Sequence, residues 1–215
     1  MNLPRILIEL LVILFALCWI YYSWIFMRNP KRNTPEGNVI VSPANGKISK
    51  IVKVGKKDTS NITIEKGLLG KIKMQTQEVG KDATLISIVM NPLNVHFQRS
   101  PCDATVLAVK HAPGKFLNAV KGAENMQAAL ENEHTEILLQ TKYGKMKVIQ
   151  IAGFLCRRIE TFVTKGHKLK KGETIGVIKL GSQVTLILPA KLKINVKEGQ
   201  AVVDGETILA MPDAS

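Results

Sequence analysis

The sequence predicts a mostly β fold: a barrel-sandwich-like β domain with one short helical stretch, preceded by a single N-terminal transmembrane helix. Three observations carry this. Short apolar runs punctuated by Gly, Pro and Asn recur from residue 39 onward. A glycine-turn pattern occurs twice near the C-terminus. Residues 6–27 are apolar, broken only by Glu9 and Ser23.

That N-terminal run is long enough to span a hydrocarbon core of about 30 Å at 1.5 Å per residue. Trp19, Tyr21, Tyr22 and Trp24 cluster where an interfacial belt belongs, and Arg28, Lys31 and Arg32 follow against Arg5 alone on the other side. The basic flank predicts a cytoplasmic domain at a cell membrane. A cleaved signal peptide is the competing reading; the length of the run, the sparse basic start and the lack of a small-x-small site disfavour it. The chain therefore divides into an anchor (1–28), a Pro-containing basic linker (29–38) and one domain (39–215), long enough for a sizeable core.

Within the domain, Val39–Val41 reads as a strand, and Ser42-Pro43-Ala44-Asn45-Gly46 as a turn in which Asn-Gly takes positive φ. Ile48–Val54, Ile62–Glu65, Ala83–Met90 and Asp103–His111 read as further strands. Phe116–Leu130 is the helical stretch, weakened by Gly122. Ile137–Thr141 and Lys145–Ile151 flank Tyr143-Gly144 as a hairpin, and Ile159–Val163 follows. A strand then leads to Gly181-Ser182, and a second runs to Pro189.

The repeated pattern is V-x-x-G-x-x-V/L-x-x-G-E-x-I, spanning Val163–Ile175 and again Val196–Ile208. It sets two glycine turns a fixed distance apart around a short strand, as in biotinyl and lipoyl carrier modules. A carrier with Lys147 as the modified lysine is thus one rival reading, although only Met146 beside it matches an attachment turn.

Composition narrows the function. With 30 Lys+Arg against 17 Asp+Glu the net charge is +13, which suits a nucleic acid or an anionic membrane surface. Aromatic residues make up only 5% and no RNA-binding motif is present, so the membrane is favoured and nucleic acid is not expected. Cys18, Cys102 and Cys156 form no CxxC motif, which argues for free thiols in a reducing compartment and against a zinc site. His111, His134 and His167 adjoin turns and polar stretches, and no histidine pair has metal-ligand spacing. His96 differs. It lies in Met90–Pro101, a Pro-bounded link between apolar strands, three residues before the fixed cation Arg99. On extended backbone that spacing puts the two on opposite faces, so a turn is needed for both to serve one site. No Ser-His-Asp order, phosphate loop or dinucleotide fingerprint appears.

Four stretches together resemble the short archaeal and bacterial branch of the phosphatidylserine decarboxylases. They are Val41–Lys47, Asn91–His96 through Arg99-Ser100-Pro101, Ile149–Gly153 through Arg157-Arg158-Ile159, and Leu180-Gly181-Ser182-Gln183-Val184. The resemblance implies a proenzyme that cuts itself between Gly181 and Ser182. The products would be a β chain (1–181) and an α chain (182–215), an αβ heterodimer that could itself pair into a dimer. Ser182 would become a covalent pyruvoyl group, forming a Schiff base with the substrate amine, with no metal and no pyridoxal phosphate. His96 would assist decarboxylation or proton transfer. The substrate would be phosphatidylserine or its diether counterpart archaetidylserine. Two residues depart from the family pattern: Asn45 stands where an Asp is common, and Arg99 where the longer branch has His. Asn45 can orient a partner but carries no charge, and Arg99 is no base near neutral pH; it could pair with the substrate phosphate or carboxylate. The alternatives from another class are a membrane-tethered, non-catalytic barrel-sandwich binding protein and an unprocessed, inactive homologue.

Overall fold

The computed structural model describes residues 3–54, 62–65, 71–74, 78–80, 82–113, 133–152, 158–179 and 182–213. It opens with α1 (Leu3–Ile20), which continues as a π-helical segment, Tyr21–Phe26. Pro4–Phe26, 23 residues in all, is long and apolar enough to cross a membrane. Large apolar side chains stand bare of protein from Leu7 to Trp24, and such an all-round apolar surface suits a lipid environment.

The connector 29–38 is docked along the domain. Asn29 and Pro30 accept hydrogen bonds from Arg99, Arg32 pairs with Asp204, and the Asn33 N–H donates to Glu206 (3.0 Å). Lys171 Nζ donates to the carbonyl of Gly37 at 2.9 Å. These contacts fix where the helix leaves the domain.

Sixteen strands are found among the described residues. The first six are β1 (Ile40–Val41), β2 (Gly46–Val54), β3 (Ile62–Glu65), β4 (Lys71–Met74), β5 (Ala83–Met90) and β6 (Phe97–Arg99). Then come β7 (Ala104–Ala112), β8 (His134–Thr141), β9 (Gly144–Ala152), β10 (Arg158–Thr161), β11 (Lys168–Leu169) and β12 (Thr174–Lys179). The last four are β13 (Ser182–Pro189), β14 (Leu192–Ile194), β15 (Ala201–Val202) and β16 (Ile208–Pro212). The mostly β class is as the sequence predicts; the helical stretch 116–130 falls outside the described residues.

Eight strands form one curled half-barrel sheet in the order β11-β7-β8-β9-β13-β5-β2-β15. Two three-stranded sheets, β1-β16-β14 and β10-β12-β6, and the β3-β4 hairpin complete the strand pairing. The central strands read as continuous apolar runs because both faces are covered. Val184, Leu186 and Leu188 of β13 join Ile86 and Ile88 of β5 and Met146 and Val148 of β9 in one core. The alternate residues Ile187, Leu85, Ile149 and Ile151 form a second core on the other face.

The repeat folds as its pattern implies. Gly166 and Gly172 (φ +90° and +81°) bracket β11, and Gly199 and Gly205 (φ +82° and +72°) bracket β15. These two short strands occupy the two opposite edges of the eight-stranded sheet. One turn differs from expectation. Gly46 does not take positive φ but starts β2, and a Cβ there would lie 2.3 Å from the Val89 carbonyl oxygen. Close strand approach, not turn geometry, requires glycine at this position.

Candidate active site

Ser182 is the first residue of β13 and pairs with Met90 on β5 and Ala152 on β9. Position 182 therefore sits at the end of the central strand, next to the point where the chain leaves β5. Gly181 lies outside the described residues.

The segment leaving β5, Asn91–His96, is a tightly bonded loop. Asn91 Oδ1 accepts the N–H groups of Leu93 (2.9 Å) and Asn94 (3.1 Å), and Asn94 Oδ1 accepts the N–H of Asn91 (2.8 Å). This reciprocal Asx arrangement closes around Pro92, whose φ is locked. Asn94 Nδ2 donates to Asn45 Oδ1 at 2.8 Å, joining the loop to the Ser42–Gly46 turn.

His96 ends the loop and is fully buried. Its carbonyl accepts the N–H of Ile178 (3.1 Å) and Gln98 Nε2 (2.6 Å). Gln98 Oε1 in turn accepts Gln150 Nε2 (2.7 Å), and Thr161 donates to Gln150 Oε1 (3.2 Å). This buried polar chain holds the His96 backbone against β12, the strand that leads toward Gly181-Ser182. The ring is covered by Phe26, with centroids 4.0 Å apart.

His96 Nδ1 is 2.8 Å from the carbonyl oxygen of Asn94. A carbonyl only accepts, so Nδ1 carries the hydrogen and Nε2 the lone pair. Nε2 is the only buried side-chain nitrogen or oxygen without a hydrogen-bond partner among the described residues. Burial pushes the imidazole down to about 4; the bond to Asn94 opposes this and the Arg28 charge adds to it. At neutral pH the ring is thus an uncharged base with one free lone pair.

The other expected residues divide clearly. Asn45 joins the site, but through Asn94 and not by touching His96. Arg99 does not turn toward His96. β6 is extended there, and the guanidinium faces Asp204 (2.7 Å), Gly172 (3.0 Å), Thr174 (3.2 Å), Asn29 and Pro30. All five of its N–H donors are engaged inside the protein, which leaves none for a lipid phosphate or carboxylate. Lys147, the carrier rival, is buried and ion-paired with Glu78 (2.7 Å) and Glu136 (2.8 Å), unlike a lysine at an exposed attachment turn. No group of three His, Cys, Asp or Glu side chains converges as a metal site among the described residues.

Sequence reasoning missed Phe26, Asn94 and the Gln98–Gln150 pair. Phe26 looked like one more apolar residue of the span. The Asn-Pro-Leu-Asn spacing is the signal that would have found the Asx loop. Beside the loop an open cleft of about 810 Å³ is lined by Gly46, Lys47, Ser49, Val89, Asn91 and Asn94, large enough for a small polar ligand.

Comparison with known proteins places the chain in a family. Residues 23–210 match the family model described as phosphatidylserine decarboxylase. A similar protein, the phosphatidylserine decarboxylase proenzyme of Chlorobaculum tepidum, is 34% identical over 195 residues, covering 90% of this chain and 79% of that protein. A family match reaching from the end of the apolar helix to the last strand, together with a relative this similar over most of both chains, means that the chain belongs to the phosphatidylserine decarboxylase family.

Proposed function

We propose that the protein is a membrane-anchored proenzyme that cleaves itself between Gly181 and Ser182. The matured enzyme then decarboxylates phosphatidylserine, or the diether analogue archaetidylserine, to the ethanolamine lipid. The observation that carries this reading is the buried, neutral His96 with its unpartnered Nε2, on a loop bonded to the strand that precedes the Gly-Ser bond.

In self-cleavage, Ser182 Oγ attacks the Gly181 carbonyl carbon and gives its proton to a base. The C–N bond breaks and the acyl group moves to oxygen. Loss of the Ser182 Cα proton then expels the Gly181 carboxylate from Cβ. Hydrolysis of the resulting dehydroalanine consumes one water and releases ammonia, leaving a pyruvoyl ketone at position 182. His96 Nε2 suits the role of proton acceptor because its lone pair is free at neutral pH. The Asn94 carbonyl holds the tautomer, so no carboxylate at position 45 is needed to orient the ring.

The pyruvoyl group supplies the electron sink that no amino-acid side chain offers for decarboxylation next to an amine. The chain's own contribution is to hold that position at the end of a strand paired on both sides and to keep a proton-transfer nitrogen in a water-poor setting. Cleavage would leave β13 between β5 and β9, so the α chain stays bound as part of an αβ heterodimer. The helix anchors the domain on the cytoplasmic side, where its basic excess meets anionic lipid.

Intact mass spectrometry of the full-length protein in phospholipid vesicles tests this. Two chains are expected, 1–181 and 182–215, the smaller lacking a free amino group and reactive toward hydroxylamine. Ser182→Ala should remain one chain and release no carbon dioxide from phosphatidylserine. A wild-type protein that stays in one piece after prolonged incubation would overturn the proposal.

A further inference from the structure

The end of the apolar helix does more than lead into the connector. Tyr21 donates from its hydroxyl to the Pro92 carbonyl at 2.8 Å, and Arg28 donates to the carbonyls of Ile25 and Leu93. Phe26 is fully buried against His96 and stacks with Tyr22 at 5.8 Å. The tip of the His96 loop is therefore fastened to the helix between Tyr21 and Arg28. That stretch is the aromatic and basic flank that marks a membrane boundary.

Two further features point the same way. The tip is rigid, closed by the reciprocal Asn91 and Asn94 bonds around Pro92. At its apex Leu93 is 65% exposed and Pro92 is also exposed; on the helix, Trp24, three residues after Tyr21, is 80% exposed. A single exposed leucine is ordinary on a soluble surface. Here it stands level with the end of a membrane-length apolar helix, in a loop that cannot fold it away.

We propose that the Asn91–Val95 loop is itself a lipid-contacting element, seated in the membrane interface beside the helix with Leu93 as its inserted tip. A lipid whose tails never leave the bilayer then has its headgroup held beside the loop that ends at the buried His96. The docked connector keeps the geometry fixed, because the bonds of Asn29, Arg32 and Asn33 to the domain prevent it from swinging away. This inference rests on the reading of Pro4–Phe26 as an anchor and deepens the proposed lipid chemistry; it names the surface through which substrate arrives.

Depth-dependent fluorescence quenching of the full chain separates the two ideas. The vesicles contain phosphatidylcholine, phosphatidylglycerol and acyl-chain-brominated phosphatidylcholine. Native Trp19 and Trp24 report the anchor. Leu93→Trp in a Trp19→Phe, Trp24→Phe background reports the loop, and Lys145→Trp in the same background reports an exposed position at the opposite end of β9 from the Ala152–Ser182 pair. Strong quenching at position 93 with none at position 145 is expected. Quenching of the native tryptophans with position 93 no more quenched than position 145 would overturn the loop proposal and leave the anchor standing. Absence of quenching at all of these positions would overturn both. As a second measure, Leu93→Asn should lose activity on vesicle phosphatidylserine more than on dispersed short-chain phosphatidylserine. Equal losses on the two substrates would count against insertion.

Discussion

The two edges of the eight-stranded sheet are built from the same unit, and they differ where the site begins. At one edge Ser42 Oγ donates to the Ala44 carbonyl, and Ile48 exchanges backbone hydrogen bonds with Gly199 and Gln200. At the other, Ser100 Oγ donates to the Cys102 carbonyl, and Val106 exchanges the same bonds with Gly166 and His167. β15 pairs with β2 as β11 pairs with β7, residue for residue. Asn45 and Asp103 occupy equivalent places. Asp103 accepts the Lys171 N–H at 2.8 Å and so closes its own turn. Asn45 instead accepts from Asn94 and holds the His96 loop. One copy closes an edge, and the other has been diverted to support the loop that ends at the buried His96.

The contrast can be broken hardest at the second glycine turn. Asp204 is fully buried between Arg32 and Arg99, whereas the side chain of its counterpart Lys171 donates to the Gly37 carbonyl at the surface. Removing one partner of a buried charge cluster costs about 3–5 kcal/mol. Asp204→Ala should show that loss in urea unfolding, and Lys171→Ala should stay within about 0.5 kcal/mol. Equal losses would mean that the two copies carry equal structural weight.

Gly46 and Ala104 are the next equivalent pair. A methyl at position 46 would sit 2.3 Å from a backbone oxygen, so Gly46→Ala should cost about 1–3 kcal/mol by the same unfolding measurement. Ala104→Gly should cost about 1 kcal/mol or less.

A smaller effect is expected at the covered histidine. Phe26→Ala admits water to His96 and should raise its pKa from about 4 toward the ordinary 6.5. In the native protein the unfolded chain binds this proton below about 6.5 and the folded one does not until about 4. Stability therefore falls as pH drops through that window, and the variant should flatten the slope. Histidine-selective NMR titration reads the shift directly.

The smallest effects should come from exchanging the equivalent side chains. Asn45→Asp keeps an acceptor for Asn94 and adds a negative charge two links from His96, so it should change the self-cleavage rate by less than about tenfold, a barrier change of about 1.4 kcal/mol. Asp103→Asn should leave that rate unaltered.

Much of the scaffold was legible in the sequence because backbone chemistry is local. The apolar runs of β5, β9 and β13 need both faces covered, and the repeat glycines needed positive φ; the fold has both. Asn45-Gly46 misled because an Asn-Gly pair commonly makes a turn, while here a facing strand requires the glycine. Ser182 was singled out through the family pattern, and His96 already through its Pro-bounded setting. Their surroundings were not, since Phe26 lies seventy residues before His96 and ring packing across that distance leaves no periodic trace. Arg99 looked free for substrate because its five acceptors come from three distant segments.

The proposed role of His96 is that of a neutral, desolvated base in forming the 182–215 chain. The most direct test is the rate at which that fragment appears, followed by intact mass spectrometry from neutral into acidic buffers. A rate nearly constant through mild acid, with its half-maximum near pH 4, is predicted. A half-maximum near 6.5, the value of an ordinary solvated imidazole, would contradict it.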